Sequence, residues 1–542
     1  MSARRGDHPY ESAVDALRSS PRRVWWTSFV LVALLSGLWG LANPPFAAPD
    51  EPAHVLRAYA ISHGQLTGKT PTPRQERRLH LTDRKDYLIV RAPAVYAGAI
   101  RACFAGHPST TAACLHFGDS ERLTDQGTYV ARHPPGYYAL VGPVTWFVPD
   151  GSVAVHLMRL IGALITGAFV ATAITALRRA GAPRIVTIGL ALAITPMVLF
   201  ISASVNPSAP EIASAIAVWV CGFLLVRGAA ERVDDRLVTT VGIAGCALAL
   251  SRQLGPFWVG LIGLTLLGVS NRAGLRNIAR SNRARVWAAL IVVSSLFQVG
   301  WDVIVKPLDV TRSGHDTKTV AASDILRTTV GRTFPRYLEM IGRFGWLDTP
   351  APALTWVPWT IALGALVFAA VLWSTRRGVA VLLGLLAATI VVPVAIEAPT
   401  YADAANLTWQ GRYTLPFAVG VPILAGALLW TTERGRRLVT SRLLWAIGIV
   451  LAGAQILAFG QNLRRYTVGA RGPISFWGSA AWSPPLPRLL LIVAFAVVVV
   501  AFVWWLLAAV PPAPDAPAAA SVEGDTPEIR RGQAAVTASP RA

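Results

Sequence analysis

Twelve or so apolar runs, most close to 20 residues long, recur along this chain and limit its fold more than any other feature. A run of roughly 20 apolar residues matches the hydrocarbon thickness of a bilayer. No water is present there to satisfy backbone amides, so each run must be a helix that pairs its own N–H and C=O groups. The runs at 24–43, 153–177, 185–203, 210–227, 237–252, 255–270, 286–305, 353–374, 378–396, 413–431, 440–460 and 488–510 read as spans. The expected fold class is therefore an all-α integral membrane bundle over 24–510. A basic N-terminus, 1–23, precedes it, and a tail rich in Pro, Ala and acids, 511–542, follows it as disordered cytoplasmic chain.

The charge pattern orients the bundle. The net charge is +21, yet only 15% of residues are charged, against about 25% in soluble domains. Arginines cluster in the turns: Arg4, Arg5, Arg18, Arg22 and Arg23, then Arg178, Arg179 and Arg184, then Arg227, Arg232 and Arg236. Further clusters are Arg272, Arg276, Arg280, Arg283 and Arg285, then Arg376 and Arg377, then Arg434, Arg436, Arg437 and Arg442. If the spans alternate, every cluster falls on one side, which assigns both termini to the cytoplasm. The same pattern accounts for the basicity without nucleic acid as a partner. Arginine far exceeds lysine, and Ala, Val and Gly are abundant, which points to a GC-rich bacterial genome and so to a bacterial plasma membrane. Two long loops, 44–152 and 306–352, then face outward, with shorter ones at 397–412 and 461–487. Within the first, 136–148 is apolar but too short to span, and reads as an interfacial helix with Tyr137, Tyr138 and Trp146 at headgroup depth. Cys103 and Cys114 lie in this loop, where an oxidising compartment favours a disulfide. Cys221 and Cys246 lie in apolar runs as packing residues.

Candidate chemistry concentrates at the outer ends of the spans. Asp50 and Glu51 form an adjacent acidic pair between Pro49 and Pro52, directly after the first span. Pro52 suits a first helical position, so 52–63 reads as a short amphipathic helix with Glu51 as its cap. His54 then lies one turn on, and Arg57 three residues further. A carboxylate beside a histidine at the membrane surface suits a general base; two carboxylates would also suit a divalent cation. Other candidates are His133 and Tyr137 in Arg132-His133-Pro134-Pro135-Gly136-Tyr137-Tyr138, and Asn206 in Ser204-Val205-Asn206-Pro207, with Glu211 opening the next span. Arg252, set between two apolar runs, should pair with an acid or an anionic ligand. Arg343 and Trp346 stand in Phe344-Gly345-Trp346-Leu347-Asp348 and its approach; Gln410, Arg412 and Tyr413 stand in Gln410-Gly411-Arg412-Tyr413. An arginine beside a tyrosine at headgroup depth could grip a phosphate. No Cys/His metal spacing, Walker-type loop or nucleophile elbow is present.

With those motifs in hand, the chain resembles an uncharacterised bacterial family of polytopic membrane proteins that looks like a branch of the GT-C superfamily of glycosyltransferases. The matching pieces are Pro49-Asp50-Glu51-Pro52-Ala53-His54, His133-Pro134-Pro135-Gly136-Tyr137-Tyr138, Ser204-Val205-Asn206-Pro207, Phe344-Gly345-Trp346-Leu347-Asp348 and Gln410-Gly411-Arg412-Tyr413. The resemblance implies a GT-C-like bundle with juxtamembrane helices in the outer loops. It implies sugar transfer from a polyprenyl-phosphate donor to an extracytoplasmic envelope glycan or glycolipid. It also implies a catalytic acid in the first loop, Asp50 or Glu51, with a divalent metal in some members only. Where relatives often carry an acid after Asn-Pro, this chain has Ser208, and Glu211 follows. Two other readings stand beside it: a transporter or flippase for lipid-linked saccharides, and a non-catalytic scaffold that binds them. The lack of an internal repeat counts against an inverted-repeat transporter.

Overall fold

The computed structural model describes residues 20–81, 87–96, 102–117, 120–305, 321–404, 407–433, 441–476, 478 and 480–509. The basic residues Arg4, Arg5, Arg18, Arg434, Arg436 and Arg437, the loop stretch 306–320 and the tail from 511 lie outside the described residues.

The first span, α1 (Pro21–Ala42), leads into α2 (Glu51–Ser62) and α3 (Pro73–Arg78). An antiparallel pair follows, β1 (Leu88–Pro93) with β2 (Leu123–Thr128), in register from Leu88↔Thr128 to Pro93↔Leu123. Next come α4 (Gly136–Val141), extended by a 3₁₀ turn at Gly142–Trp146, and α5 (Gly151–Arg179). The middle of the chain is helical: α6 (Arg184–Ala193), α7 (Pro196–Ser202), α8 (Ser208–Gly228), α9 (Asp235–Ser251), α10 (Gly255–Val269), α11 (Arg272–Arg280) and α12 (Asn282–Val305). After α13 (Ala322–Gly331) and α14 (Thr333–Gly342), a small hairpin pairs β3 (Arg343–Phe344) with β4 (Thr349–Pro350). The chain closes with α15 (Ala353–Trp373), α16 (Arg376–Ala404), α17 (Gly411–Ala418), α18 (Gly420–Trp430), α19 (Ser441–Val468) and α20 (Arg488–Ala509).

The protein is an all-α polytopic membrane protein, and helices lie on all twelve expected runs. Nine among the described residues are long and apolar enough to cross a bilayer. The expectation of twelve uniform spans needs correction at three places. The run 185–203 is a bent pair, α6 and α7, meeting at 59°. Helices α9, of 17 residues, and α10, of 15, would reach only ~26 and ~23 Å at 1.5 Å per residue. The bend follows from Pro196, which has no N–H to donate back. Its loose ends are tied: Thr195 accepts from the Val198 N–H at 3.2 Å, and the Leu192 and Ile194 carbonyls accept from Trp359 (3.1 Å) and Gln455 (2.8 Å).

Helix α8 is enclosed on every side, whereas only 6% of the apolar window of α12 is buried. Trp39 anchors the half of the bundle at which α1 ends, its ring 5.1–6.1 Å from those of Phe344, Phe459, Phe200 and Phe495. Above it sits a second core, built from α2, α4 and the loop after α1. Helix α2 is not amphipathic: Glu51 through Ala60 are all buried. The segment at 136–148 is only partly interfacial. Trp146 and Phe147 are exposed, but Tyr137 and Tyr138 turn inward, because Gly142 lets its backbone lie against the Ala58 carbonyl, where a Cβ would sit 2.2 Å away.

One arginine pins this outer layer. Arg159, buried in α5, uses all five N–H donors. Its Nε and Nη2 donate to the two Glu51 oxygens at 2.8 and 2.7 Å. Its remaining bonds reach the carbonyls of Gly40 (3.0 Å), Asn43 (2.9 Å) and Pro44 (2.7 Å), at the C-terminal end of α1. The Val205 N–H adds a third bond to Glu51 at 2.9 Å. Breaking a buried ion pair costs about 3–5 kcal/mol. Arg159→Met should therefore lower the thermal unfolding midpoint of detergent-purified protein sharply. The double variant Glu51→Met/Arg159→Met should recover part of the loss, since no lone charge stays buried. A single variant as stable as the wild type would show that the pair does not hold the fold.

Candidate active site

Asn43 to Asp50 connects α1 to α2 and is fastened along its length. Asn462 donates to the Asn43 side chain at 2.5 Å, Trp346 to the Phe46 carbonyl at 3.0 Å, and Tyr466 to the Ala47 carbonyl at 2.9 Å. The segment ends with Asp50 in the left-handed region, φ 66°. That conformation is sparsely used by side-chain-bearing residues, though Asp tolerates it better than most. It turns the Asp50 carboxylate away from the helix it precedes: Asp50 stands at the N-cap position of α2 but makes no capping bond.

The two adjacent acids thus point to different partners. Glu51, not Asp50, is a fully paired internal group with no exposure. Asp50 is 22% exposed, accepts a hydrogen bond from Tyr129 OH at 2.5 Å, and pairs with Arg412. A shared two-carboxylate cation site at Asp50 and Glu51 does not fit this divergence. Among the described residues, no group of three or more His, Cys, Asp or Glu side chains is placed to hold a metal. Burial pushes the Asp50 carboxyl up, but Arg412 first, then His54 and the Tyr129 bond, outweigh it and leave it below its ordinary value.

Arg412 is brought there by the tight seating of the Gln410-Gly411-Arg412-Tyr413 turn. The Gly411 N–H donates to Glu339 at 2.7 Å and the Trp409 N–H to Glu397 at 2.8 Å. Glu397 also pairs with Arg336. A Cβ on Gly411 would stand 2.3 Å from the Arg336 carbonyl, so only glycine lets α17 start so close to α14. Arg412 also donates to Tyr413 OH at 3.2 Å. Arg252 completes the charged cluster from the C-terminal end of α9. Its guanidinium donates to Ser208 at 2.8 Å, lies 4.0 Å from Glu211, and stacks over the Tyr413 ring at 4.5 Å. Arg252 therefore has the acidic partner expected of it, and Ser208 serves as a hydroxyl acceptor one turn before Glu211.

Two histidines line the other side. His54 Nδ1 lies 2.8 Å from Tyr138 OH, and His133 Nδ1 lies 3.4 Å from the same oxygen. Burial pushes the His54 imidazole well below its ordinary value, helped by His133. Burial, then Arg252 and Arg57, push His133 down to about 3. Both rings are neutral at neutral pH.

Several expected site residues are engaged elsewhere. Arg57 donates to the carbonyls of Leu66 (2.8 Å) and His133 (2.6 Å), so it binds loops together rather than facing a ligand. Arg343 donates to Leu347 O at 2.7 Å inside its own hairpin. Tyr137 OH accepts the Asn206 N–H at 3.1 Å, and the Asn206 side chain accepts the Ser208 N–H at 2.9 Å, so both shape the turn before α8. Trp346 is half-buried on the Phe46 carbonyl and shares a small crevice with Tyr129. Gln410 precedes α17 without capping it. Cys103 and Cys114 are joined, with Cα atoms 6.1 Å apart. Arg465 fastens that loop to the hairpin through the Phe104 and Thr110 carbonyls and Asp348 (3.0 Å). The sequence reading missed Tyr129, Tyr138 as a site residue, and Arg159. An arginine inside the run 153–177 was the available signal for the last; Tyr129 carried none.

The model of a family described as predicted membrane protein (DUF2142) matches residues 33–421, which include every element of this cluster. The chain belongs to that family. The resemblance to a polytopic family of undescribed function is met. No curated protein matches the chain. Two solved structures of ArnT from Cupriavidus metallidurans are similar over most of the chain. The apo structure aligns at TM-score 0.42 and 18% identity, covering 91% of this chain and 77% of that one. The structure bound to undecaprenyl phosphate aligns at 0.40 and 16%, covering 90% and 76%.

The histidines give the site a pH signature. Their folded-state values are depressed, so between the folded and unfolded values the unfolded chain binds more protons. The stability they contribute is complete above the unfolded value of about 6.5 and is lost as pH falls toward the folded one, about 3 for His133. Asp50 follows the same sign lower down, its contribution present above about 3.9 and lost as pH falls through its lowered folded value. The unfolding midpoint should therefore fall from pH 6.5 to pH 4.5. His133→Asn should flatten that slope. An unchanged slope in the variant would remove His133 as its source.

Proposed function

We propose that this chain is a GT-C-type glycosyltransferase that moves a sugar from a polyprenyl-phosphate donor to an acceptor hydroxyl outside the cytoplasm. The observation that carries the reading is the Asp50–Arg412 pair, with Arg252 beside it, at the outer ends of the spans. A base and two anion-binding groups stand together, each held by a buried frame. The motif resemblance supports the superfamily, and the arginine clusters support an extracytoplasmic site with cytoplasmic termini. The donor sugar and the envelope glycan or glycolipid that accepts it are not distinguished by these residues.

In this reaction the acceptor oxygen attacks the anomeric carbon and the bond from that carbon to the phosphate oxygen breaks. The electron pair leaves with the polyprenyl phosphate, and the hydroxyl proton goes to Asp50. Arg412 and Arg252 stabilise the negative charge that gathers on the leaving phosphate. A donor phosphate competes with Asp50 for Arg412. Its binding draws the guanidinium away and makes the carboxylate more basic when the acceptor arrives. A single displacement of this kind inverts the anomeric centre.

Purified protein given a polyprenyl-phosphate sugar and envelope acceptors should show transfer. Asp50→Asn should lower the rate per folded molecule by about 10²–10⁴-fold, the usual contribution of a general base, and should also lower the unfolding midpoint, because buried Arg412 loses its carboxylate partner. Arg412→Gln should weaken donor binding as well as turnover. Full transfer by Asp50→Asn would sink the assignment. The bent pair α6–α7 is the one feature that favours a transporter, since broken helices frame many transport sites. Its free carbonyls are already satisfied by Trp359 and Gln455. Movement of a lipid-linked saccharide in proteoliposomes, undiminished by Asp50→Asn, would favour that reading instead.

A further inference from the structure

The opposite end of the bundle holds a cavity that neither the active-site cluster nor the fold explains. It has a volume of about 400 Å³ and opens where α1 begins, α5 ends and α9 begins. Arg22, Arg179 and Arg236 line it, one from each helix, and all three are exposed. Several other arginines at this end are occupied. Arg184 donates to Leu507 O at 2.8 Å, Arg227 stacks on Trp430 at 3.9 Å, and Arg283 pairs with Asp235 at 3.2 Å. Among the described residues, none of the three cavity guanidinium groups has a hydrogen bond or ion pair. The acid at the rim, Asp234, already caps α9 by accepting the Arg236 and Leu237 N–H groups at 2.8 and 3.4 Å.

Three like charges therefore converge on one cavity with a single acid already in use. Such an arrangement draws an anion, and guanidinium groups suit phosphate oxygens. The surroundings indicate which anion. The cavity lies at the ends of membrane spans, at headgroup level. Trp25, half-buried in its wall, donates to Thr172 at 2.9 Å, as an indole at a membrane boundary does. The volume equals roughly a dozen waters at ~30 Å³ each, so it accommodates a phosphodiester with its glycerol and not merely a small ion. Basic pockets between spans on the cytoplasmic side are suited to acidic lipid headgroups.

We propose that this cavity binds the headgroup of an anionic phospholipid from the leaflet on the side of the arginine-rich turns. The phosphate sits among Arg22, Arg179 and Arg236, and the acyl chains leave along the lipid-facing side of α1. The site is independent of the transferase reading and stands or falls without it.

Native mass spectrometry of detergent-purified full-length protein, titrated with phosphatidylglycerol or phosphatidylcholine, tests the proposal. Wild-type protein should retain one phosphatidylglycerol with clear preference over phosphatidylcholine. The triple variant Arg22→Gln/Arg179→Gln/Arg236→Gln should lose affinity on the order of five-fold per guanidinium removed. The corresponding triple lysine variant, which keeps the charge but not the planar fork, should recover only part of the affinity that the glutamine variant loses. A control variant, Arg272→Gln/Arg276→Gln/Arg280→Gln on α11, should leave binding unchanged. Wild-type affinity in the cavity variant, equal loss in the α11 variant, equal binding of phosphatidylcholine, or displacement of the lipid by millimolar inorganic phosphate would each overturn it. Unchanged thermal unfolding of the cavity variant separates lost binding from lost fold.

Discussion

The five-donor grip of Arg159 is the constraint on which the half of this protein around the α1–α2 connection depends. It gathers the carbonyl end of α1, the start of α2 and, through Glu51, the turn before α8. A guanidinium buried within an apolar helix is costly unless every donor is used and its charge is matched. Here both conditions hold. The result is a first outer loop with little freedom, so Asp50 can be kept in a left-handed conformation that a looser loop would relax. Two neighbouring carboxylates thereby acquire opposite characters. The one inside the helix is neutralised by Arg159, and the one just before it is turned toward Arg412 and Tyr129.

The Asp50 cluster draws residues from across the chain. Asp50, Tyr129, Arg252 and Arg412 come from a loop, the end of a small sheet, the end of α9 and the start of α17. Each is set by packing some distance from the charge itself. Arg412 depends on Gly411 fitting against α14, and Arg252 on Ser208 and Tyr413. Asp50 and Glu211 face two arginines in this cluster. On the transferase reading proposed above, an incoming phosphate would enter by exchange, displacing a carboxylate from a guanidinium.

Much of this could be read from residues alone, for definable reasons. The spans were legible because apolar length is a one-dimensional property, and helices lie on each expected run. Asp50 and Arg412 were legible as uncommon charges flanked by Pro, Gly and aromatic residues at span ends. Arg57 was read as a ligand-facing residue because helix spacing gives a direction along one element. Spacing says nothing of the two carbonyls that the tertiary fold brings to its guanidinium. Arg343 failed for the same reason, since a hairpin carbonyl took its donor. Glu51 and Asp50 could not be told apart because the backbone torsion that separates them is imposed by neighbours far along the chain.

By itself the sequence determined the class of the protein, the position of its helices and the end of the bundle where polar chemistry gathers. Those follow from the cost of placing unpaired amides and charges in hydrocarbon. Only the tertiary structure decided which helices are central and which face lipid. Helices α8 and α12 are similarly apolar, yet the first is wholly enclosed and the second almost bare. In water, periodic polarity marks the buried face of a helix; in a bilayer both faces meet apolar surroundings, so that signal is absent. The same limit applied to the charges. Their presence was written in the sequence, but their partners depended on which helix ends the packing brought together.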